Sequence, residues 1–286
     1  FSSLNIRKDN FDLLAEQLNQ YIENKIQENV RLVELGKVIA NIGLKNSLDL
    51  RYYYSSKALY TVDFFKAYAE YVKPYIMSAN GKSKKALIFD CDNTLWGGFI
   101  GEDGINGIDM SSSGVGLIYR EVQYIVLSLV KKGVMFCLCS KNDQIDIDNV
   151  INKHPDFMIN NDDITFKMVN WVDKSENILS ISERLNVGVD SIVYVDDSKF
   201  EIGLVKKQLP EIECMLVPTN IYDYPEQFLK FTNMFFSHSI SNEDIEKAII
   251  DVWENRSDQY SEDRTSQTNE KSLSTRSKVE MYQIGG

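Results

Sequence analysis

The sequence predicts an α/β fold, a parallel sheet with helices on both faces. Three observations predict it. From residue 86 onward, short apolar runs alternate with stretches of helical periodicity. The runs themselves are almost uniformly apolar, as expected of strands covered on both sides rather than one. Three of them also end on polar residues, Asp90, Ser140 and the pair Asp196-Asp197, which parallel strands would bring to a single edge.

Taken in order, residues 9–28 repeat apolar residues at three- and four-residue spacing and predict an amphipathic helix. "VRLVEL" (30–35) reads as a short strand, and 60–77 as a second helix with Pro74 close to its end. The loop "SANGKSKK" marks a boundary by its Gly, Ser and charge. Three regions follow: a helical N-terminal appendage or the end of an upstream domain (1–82), a catalytic α/β domain (83–219), and a C-terminal extension with a polar tail (220–286). Within the second, "ALIFD" is the first strand, 114–133 a helix stopped at Gly133, and "VMFCLCS" the second strand. A helix around 143–153, an extended segment and a helix over 174–186 come next. "SIVYVDD", a helix after Lys199, and "ECMLVP" complete the alternation. Residues 255–279 are polar and poor in large apolar groups, as a flexible tail is.

A formal net charge of -11 argues against general nucleic-acid binding, which gains its affinity by neutralising phosphates. No apolar run reaches membrane-spanning length, so no membrane partner is expected. The four cysteines, at 91, 137, 139 and 214, fit no zinc spacing and are too sparse for a disulfide framework; they point to a reducing cytoplasm. Cys137 and Cys139 lie two apart and face one side of a strand. The short basic runs at 82–85, 131–132 and 206–207 are solvated faces or docking patches for an acidic partner.

The strand ends carry the chemistry. Asp90, Asp92, Ser140, Asp196 and Asp197, with Lys174 at the start of a helix, are predicted to meet around one crevice. Carboxylates so crowded need a cation, and Mg²⁺ is the oxygen-seeking choice. A metal, an ammonium and a hydroxyl together suit a phosphoryl group. One carboxylate can be the nucleophile, and another two residues on can serve as general acid and base.

"DCDNT", "CLCS", Lys174 and "VDD" resemble the four motifs of haloacid dehalogenase (HAD) superfamily phosphatases. The resemblance implies a HAD-like Rossmannoid sheet, with Asp90 as phosphoryl-accepting nucleophile and Asp92 as general acid and base. It implies that Thr94 shapes the turn while Ser140 and Lys174 bind phosphoryl oxygens. Mg²⁺ would be held by Asp90, the backbone carbonyl of Asp92 and Asp196, with Asp197 supporting. "DNTLWGGFIGEDG", "SKND", "KHPDF", "NWVDKSENI" and "VDD" are similar to the FkbH-like group, and cover about half the chain. That adds Lys141 and Asn142 to the substrate-binding set. It implies an enzyme that takes a glyceryl unit from 1,3-bisphosphoglycerate, removes phosphate and loads an acyl carrier protein thiol.

The sequence departs from that group in two places. Ser198-Lys199 stands where Asn-Pro is usual, with Glu201-Ile202 in place of Glu-Arg. Met168, with Lys167 beside it, occupies a position that is often basic. Between the motifs there is room only for a minimal cap, a glycine-rich flap over 97–109, so an open site is expected. Cys91 has two readings, a packing residue or an acyl acceptor facing the entrance. The end of the chain also resembles the C-terminus of GTP 3′,8-cyclase, which would make Gly285-Gly286 a functional terminus. Two other functions fit the residues, a simple phosphatase on another phosphorylated small molecule and a non-catalytic interaction module.

Overall fold

The computed structural model describes residues 10–27 and 30–236. The tail and Gly285-Gly286 lie outside the described residues. The chain divides into two compact units, Phe1–Lys73 and Pro74–Gly286. The first holds α1 (Asn10–Lys25), α2 (Leu35–Ile42), α3 (Leu44–Ser47) and α4 (Leu50–Ser56). α5 (Val62–Ala79) runs across the division and carries Pro74 inside it, five residues before its end.

The N-terminal helix forms as its periodicity predicts, but the strand expected over 30–35 does not. Residues 30–34 are irregular and Leu35 opens α2. A lone strand leaves a row of backbone groups unpaired, and no strand of the described residues lies in this unit to pair with it. Its buried centre is small: Val38, Ser47 and Phe64, with the Tyr60 ring stacked on Phe64 at 4.1 Å.

The second unit is a five-stranded parallel sheet in the order β3-β2-β1-β4-β5. The strands are β1 (Ala86–Phe89), β2 (Met135–Ser140), β3 (Phe166–Val169), β4 (Ile192–Asp196) and β5 (Glu213–Leu216). Between β1 and β2 lie α6 (Ile100–Asp103) and α7 (Gly116–Val130); α8 (Gln144–Lys153) follows β2. α9 (Lys174–Leu185) precedes β4, α10 (Lys199–Gln208) follows it, and α11 (Tyr224–Thr232) comes after β5.

Period-two alternation sorts the sheet's side chains onto two cores. Leu87, Phe89, Phe136, Leu138, Val193 and Val195 face one core, with residues of α7, α8 and α11. Ala86, Ile88, Cys137, Cys139, Ile192 and Tyr194 face the other, with Ile178 and Ile181 of α9 and Ile202 and Val205 of α10. Cys137 and Cys139 are therefore buried core thiols, and burial pushes both up to about 12. Gly133, at φ +86°, ends the helical region: its N–H bonds to Val130 O and that of Val134 to Leu129 O. Tyr224 and Phe228 are fully buried, so the chain beyond 219 still contributes to the core.

The flap forms as a small closed loop. Gly97 and Asp109 exchange both backbone hydrogen bonds at 2.8 Å, and α6 lies between them. No second sheet lies between β1 and β2 or between β2 and β3 among the described residues. No described helix is long and apolar enough to cross a membrane.

Candidate active site

The strand order fixes where a site can form. From β1 the chain moves outward through β2 to β3, then returns to the other side of β1 at β4. The crevice beyond the carboxyl ends of β1 and β4 is thus the topological switch point. Phe89 pairs with Val195, and the Asp90 N–H donates to Val195 O at 3.0 Å. This register sets Asp90 beside Asp196. One carboxylate oxygen from each of Asp90, Asp196 and Asp197 lies within 4.8 Å of the others.

Lys174, at the first turn of α9, is 4% exposed and neutralises the pair beneath it. Its Nζ lies 3.0 Å from Asp90 Oδ1 and 2.5 Å from Asp196 Oδ2. The Asp196 carboxylate also accepts from the Tyr194 hydroxyl and, at 2.7 Å, from the Ser198 N–H. Asp90 Oδ1 is close enough to Lys174 for an ion pair but accepts no well-directed hydrogen bond from any described group. Burial pushes the Asp90 carboxyl up to about 6; the Lys174 ammonium opposes this and the Asp196 charge adds to it. Asp197 is also raised, first by burial and then by Asp196. Burial pulls the Lys174 ammonium down, but Asp90 and Asp196 outweigh it and hold its pKa above the ordinary lysine value.

Asp92 stands apart from that group, with its carboxylate oriented by three donors. The Trp96 indole N–H donates to Oδ1 at 2.9 Å, the Ile100 N–H donates to the same oxygen at 3.0 Å, and Asn142 Nδ2 donates to Oδ2 at 2.9 Å. Asn142 Nδ2 also reaches Ser140 Oγ at 3.1 Å, which ties the end of β2 to the turn after β1. Asn93 takes a left-handed φ of +51° in that turn, and its Oδ1 accepts from the Gly98 N–H at 2.9 Å.

The structure thus brings Asp90, Asp92, Ser140, Asn142, Lys174, Asp196 and Asp197 to one edge. Three further expected residues have these surroundings. Thr94 is fully buried and its Oγ1 has no hydrogen-bond partner among the described residues. Lys141 is held by Glu201 at 2.8 Å and Asp173 at 3.8 Å. Cys91 is enclosed as well. Its side chain lies in the core with Leu95, Trp96 and Val122, fully buried. Burial and then the Asp90 charge push its thiol well up. At the position of the second departure, Lys167 is bonded to Asp148 and Asn161, and Met168 packs on the α9 side of the sheet.

The sequence reading missed Trp96, Tyr194 and Glu201. Tyr194 had a legible signal, since it lies two residues before Asp196 and shares its face. Trp96 lies four after Asp92, but only the fold of the turn shows that its indole reaches back.

No protein-family model matches the sequence, and no curated protein matches it. Among solved structures, the chain is similar to the N-terminal part of the protein BF1531 from Bacteroides fragilis, which contains a phosphatase domain and was crystallised with Mg. The TM-score is 0.71 and the identity 28%, covering 80% of this chain and 61% of that one. The chain thus spans only about three fifths of that structure. A HAD family enzyme from Bacteroides thetaiotaomicron, in complex with magnesium and inorganic phosphate, matches at TM-score 0.33 and 12% identity, over 48% of this chain and 96% of that one. The 3-deoxy-D-manno-octulosonate 8-phosphate phosphatase of Moraxella catarrhalis matches at 0.31 and 13%, over 48% and 68%. With its five parallel strands, flanking helices and carboxylates at the switch point, this chain shares the α/β fold of the BF1531 structure.

Proposed function

We propose that the chain is a Mg²⁺-dependent phosphatase that works through an aspartyl phosphate on Asp90. The observation that carries this reading is the meeting of Asp90, Asp196 and Asp197 with the Lys174 ammonium at the switch point. Three carboxylates this close repel one another without a cation, and an all-oxygen donor set suits Mg²⁺. Asp90 Oδ1, buried and ion-paired to Lys174 without a well-directed hydrogen bond, has the character of a ligand atom. The magnesium-bound neighbour supports the same ion. Asp90, Asp196 and Asp197 would hold it together with the Asp92 backbone carbonyl, and when bound it supplies positive charge against the phosphoryl oxygens.

The chain's own residues then divide the work. Asp90 attacks phosphorus while the bond to the leaving oxygen breaks. Asp92, oriented by Trp96, Ile100 and Asn142, gives its proton to that oxygen. It then takes a proton from the water that attacks the aspartyl phosphate, which releases phosphate and restores Asp90. Lys174 and Ser140 bind phosphoryl oxygens, and Asn142 holds Ser140 and Asp92 in register.

The finer form that the motif run supports is FkbH-type. The substrate is then 1,3-bisphosphoglycerate, and an acyl carrier protein is the partner. Asp90 takes the ester phosphate from carbon 3, and water then releases it; the carrier thiol attacks the acyl carbon, the bond to the acyl-phosphate oxygen breaks, that phosphate leaves, and the thiol proton passes to solvent. With Cys91 buried, the acyl group passes directly to the carrier. The test is phosphate release from 1,3-bisphosphoglycerate and from simpler phosphate esters, with and without carrier protein, in Mg²⁺ and in EDTA. Mg²⁺-dependent release with carrier acylation supports the finer form, and release alone reduces it to a simple phosphatase. No release with Mg²⁺ present defeats both and favours an interaction module.

A further inference from the structure

We propose that Gln123, in the middle of α7, is a positioning residue: it holds Trp96 from two sides and so fixes the indole that orients Asp92. This rests on the phosphatase reading, in which Asp92 passes a proton to the leaving oxygen. Gln123 is fully buried, and both ends of its amide are bonded to backbone. Nε2 donates to Leu95 O at 2.8 Å and lies 3.7 Å from Met110 Sδ. Oε1 accepts from the Met158 N–H at 2.9 Å. The first bond pins the planar peptide between Leu95 and Trp96, and with it the backbone from which the Trp96 side chain leaves. The second pins the peptide between Phe157 and Met158. The Phe157 ring meets the Trp96 ring edge to face, with centroids 5.9 Å apart. The indole so enclosed is fully buried and donates to Asp92 Oδ1 at 2.9 Å.

The loop that carries Phe157 is tied to the same helix a second time. Asp156 lies 3.7 Å from the guanidinium of Arg120, three residues before Gln123 and so on the same face of α7. By this route the stretch "KHPDF" (153–157) bears on the site. A core position that needs only volume takes an apolar side chain, because a buried amide must find partners for both its donor and its acceptor. Here one end has to donate to a carbonyl and the other to accept from an N–H. Methionine offers neither bond, and an ionised glutamate offers only the acceptor. A proton donor works only within hydrogen-bond reach of the leaving oxygen, so a small drift of the indole matters at Asp92.

The experiment follows the Trp96 indole N–H by NMR in the full chain carrying isotope-labelled tryptophan, its signal assigned by its loss in Trp96→Phe. In wild type this proton should exchange with water at least roughly tenfold more slowly than that of Trp171, which is 71% exposed. Gln123→Met, which keeps the length of the side chain and removes both bonds, should shift the Trp96 signal and speed its exchange by roughly tenfold, with the Trp171 signal in place. If Gln123→Met does not fold, Phe157→Leu is read instead and should move the same signal. An unmoved Trp96 signal in the variant read, or exchange in wild type as fast as that of Trp171, overturns the proposal. Kinetics test the consequence. Gln123→Met should lower kcat on phenyl phosphate by roughly fivefold and on acetyl phosphate by less than about twofold, with KM little changed. In a Trp96→Phe background the same substitution should cost less than about twofold more, because two residues that act through one indole are not additive. An equal loss on both esters, or full additivity with Trp96→Phe, assigns Gln123 to packing alone and also overturns the proposal. Failure of the phosphatase reading shows separately, as a wild type without turnover on either ester, and the indole measurements still decide whether Gln123 positions Trp96 against Asp92.

Discussion

Replacing Lys174 with methionine removes the positive charge from beneath two carboxylates and keeps most of the apolar volume. Lys174 is 4% exposed, Asp90 is 7% and Asp196 is fully buried, so water cannot replace the lost charge. Removing one partner of a buried ion pair costs about 3–5 kcal/mol, which lowers the unfolding midpoint of a domain this size by on the order of 10 °C. The pH dependence identifies the cause. The Asp90 carboxyl is raised from 3.8 to about 6 in the fold, so its ionisation destabilises the metal-free native state by about 3 kcal/mol above that pH. That penalty disappears as pH falls through 6 towards 3.8. Without Lys174, which holds the Asp90 value down, the carboxyl rises further and protonates at higher pH. The stability gap between Lys174→Met and wild type should therefore be largest at pH 7 in EDTA. It should shrink at pH 5, where both forms carry a protonated Asp90, and shrink also in saturating Mg²⁺. Thermal unfolding at the two pH values, with and without Mg²⁺, measures all of this. A variant as stable as wild type at pH 7, or a gap that widens on acidification, would refute the reasoning.

Three further outcomes are expected. Thr94→Val should be neutral or stabilising by up to about 1 kcal/mol, because the Thr94 hydroxyl is buried without a partner and the methyl is nearly isosteric; a loss above that in urea unfolding would show that the hydroxyl is bonded in solution. Cys91→Ala should leave phosphate release within about twofold while costing about 1–2 kcal/mol for the emptied core volume, and Cys91 in the native protein should resist alkylation until the fold opens; rapid labelling at neutral pH counts against its burial. Trp96→Phe removes a donor from Asp92 and should lower kcat by roughly tenfold for esters with poor leaving groups, which need the proton most, and by less for acetyl phosphate; an equal loss on both would assign Trp96 to packing alone.

Much of the site was legible because parallel strands align their carboxyl ends, so a polar residue at the end of each apolar run has few other places to go. Asp90, Ser140 and Asp196 follow from that geometry. β3 read only as an extended segment because Lys167 interrupts a four-residue edge strand. The apolar-rich run of 30–35 misled for a different reason, since strand-like residues do not provide a neighbouring strand. The placement of Thr94 and Cys91 depends on how the turn after β1 rolls inward, which the Asn93 backbone sets and residue types alone do not. Lys141 looked available for substrate in the sequence, but its partner Glu201 lies sixty residues away.

The central claim is that Asp90 receives the phosphoryl group at a magnesium-dependent site. It is tested most directly by acid-quenching the Asp92→Asn variant during turnover of acetyl phosphate in Mg²⁺ and locating the phosphoryl group by peptide mass spectrometry. Without the Asp92 carboxylate to activate water, the intermediate should accumulate on the peptide that contains Asp90, and EDTA should abolish it. A phosphoryl group found on another residue, or the same labelling when Asp90 is also replaced by asparagine, would contradict the account.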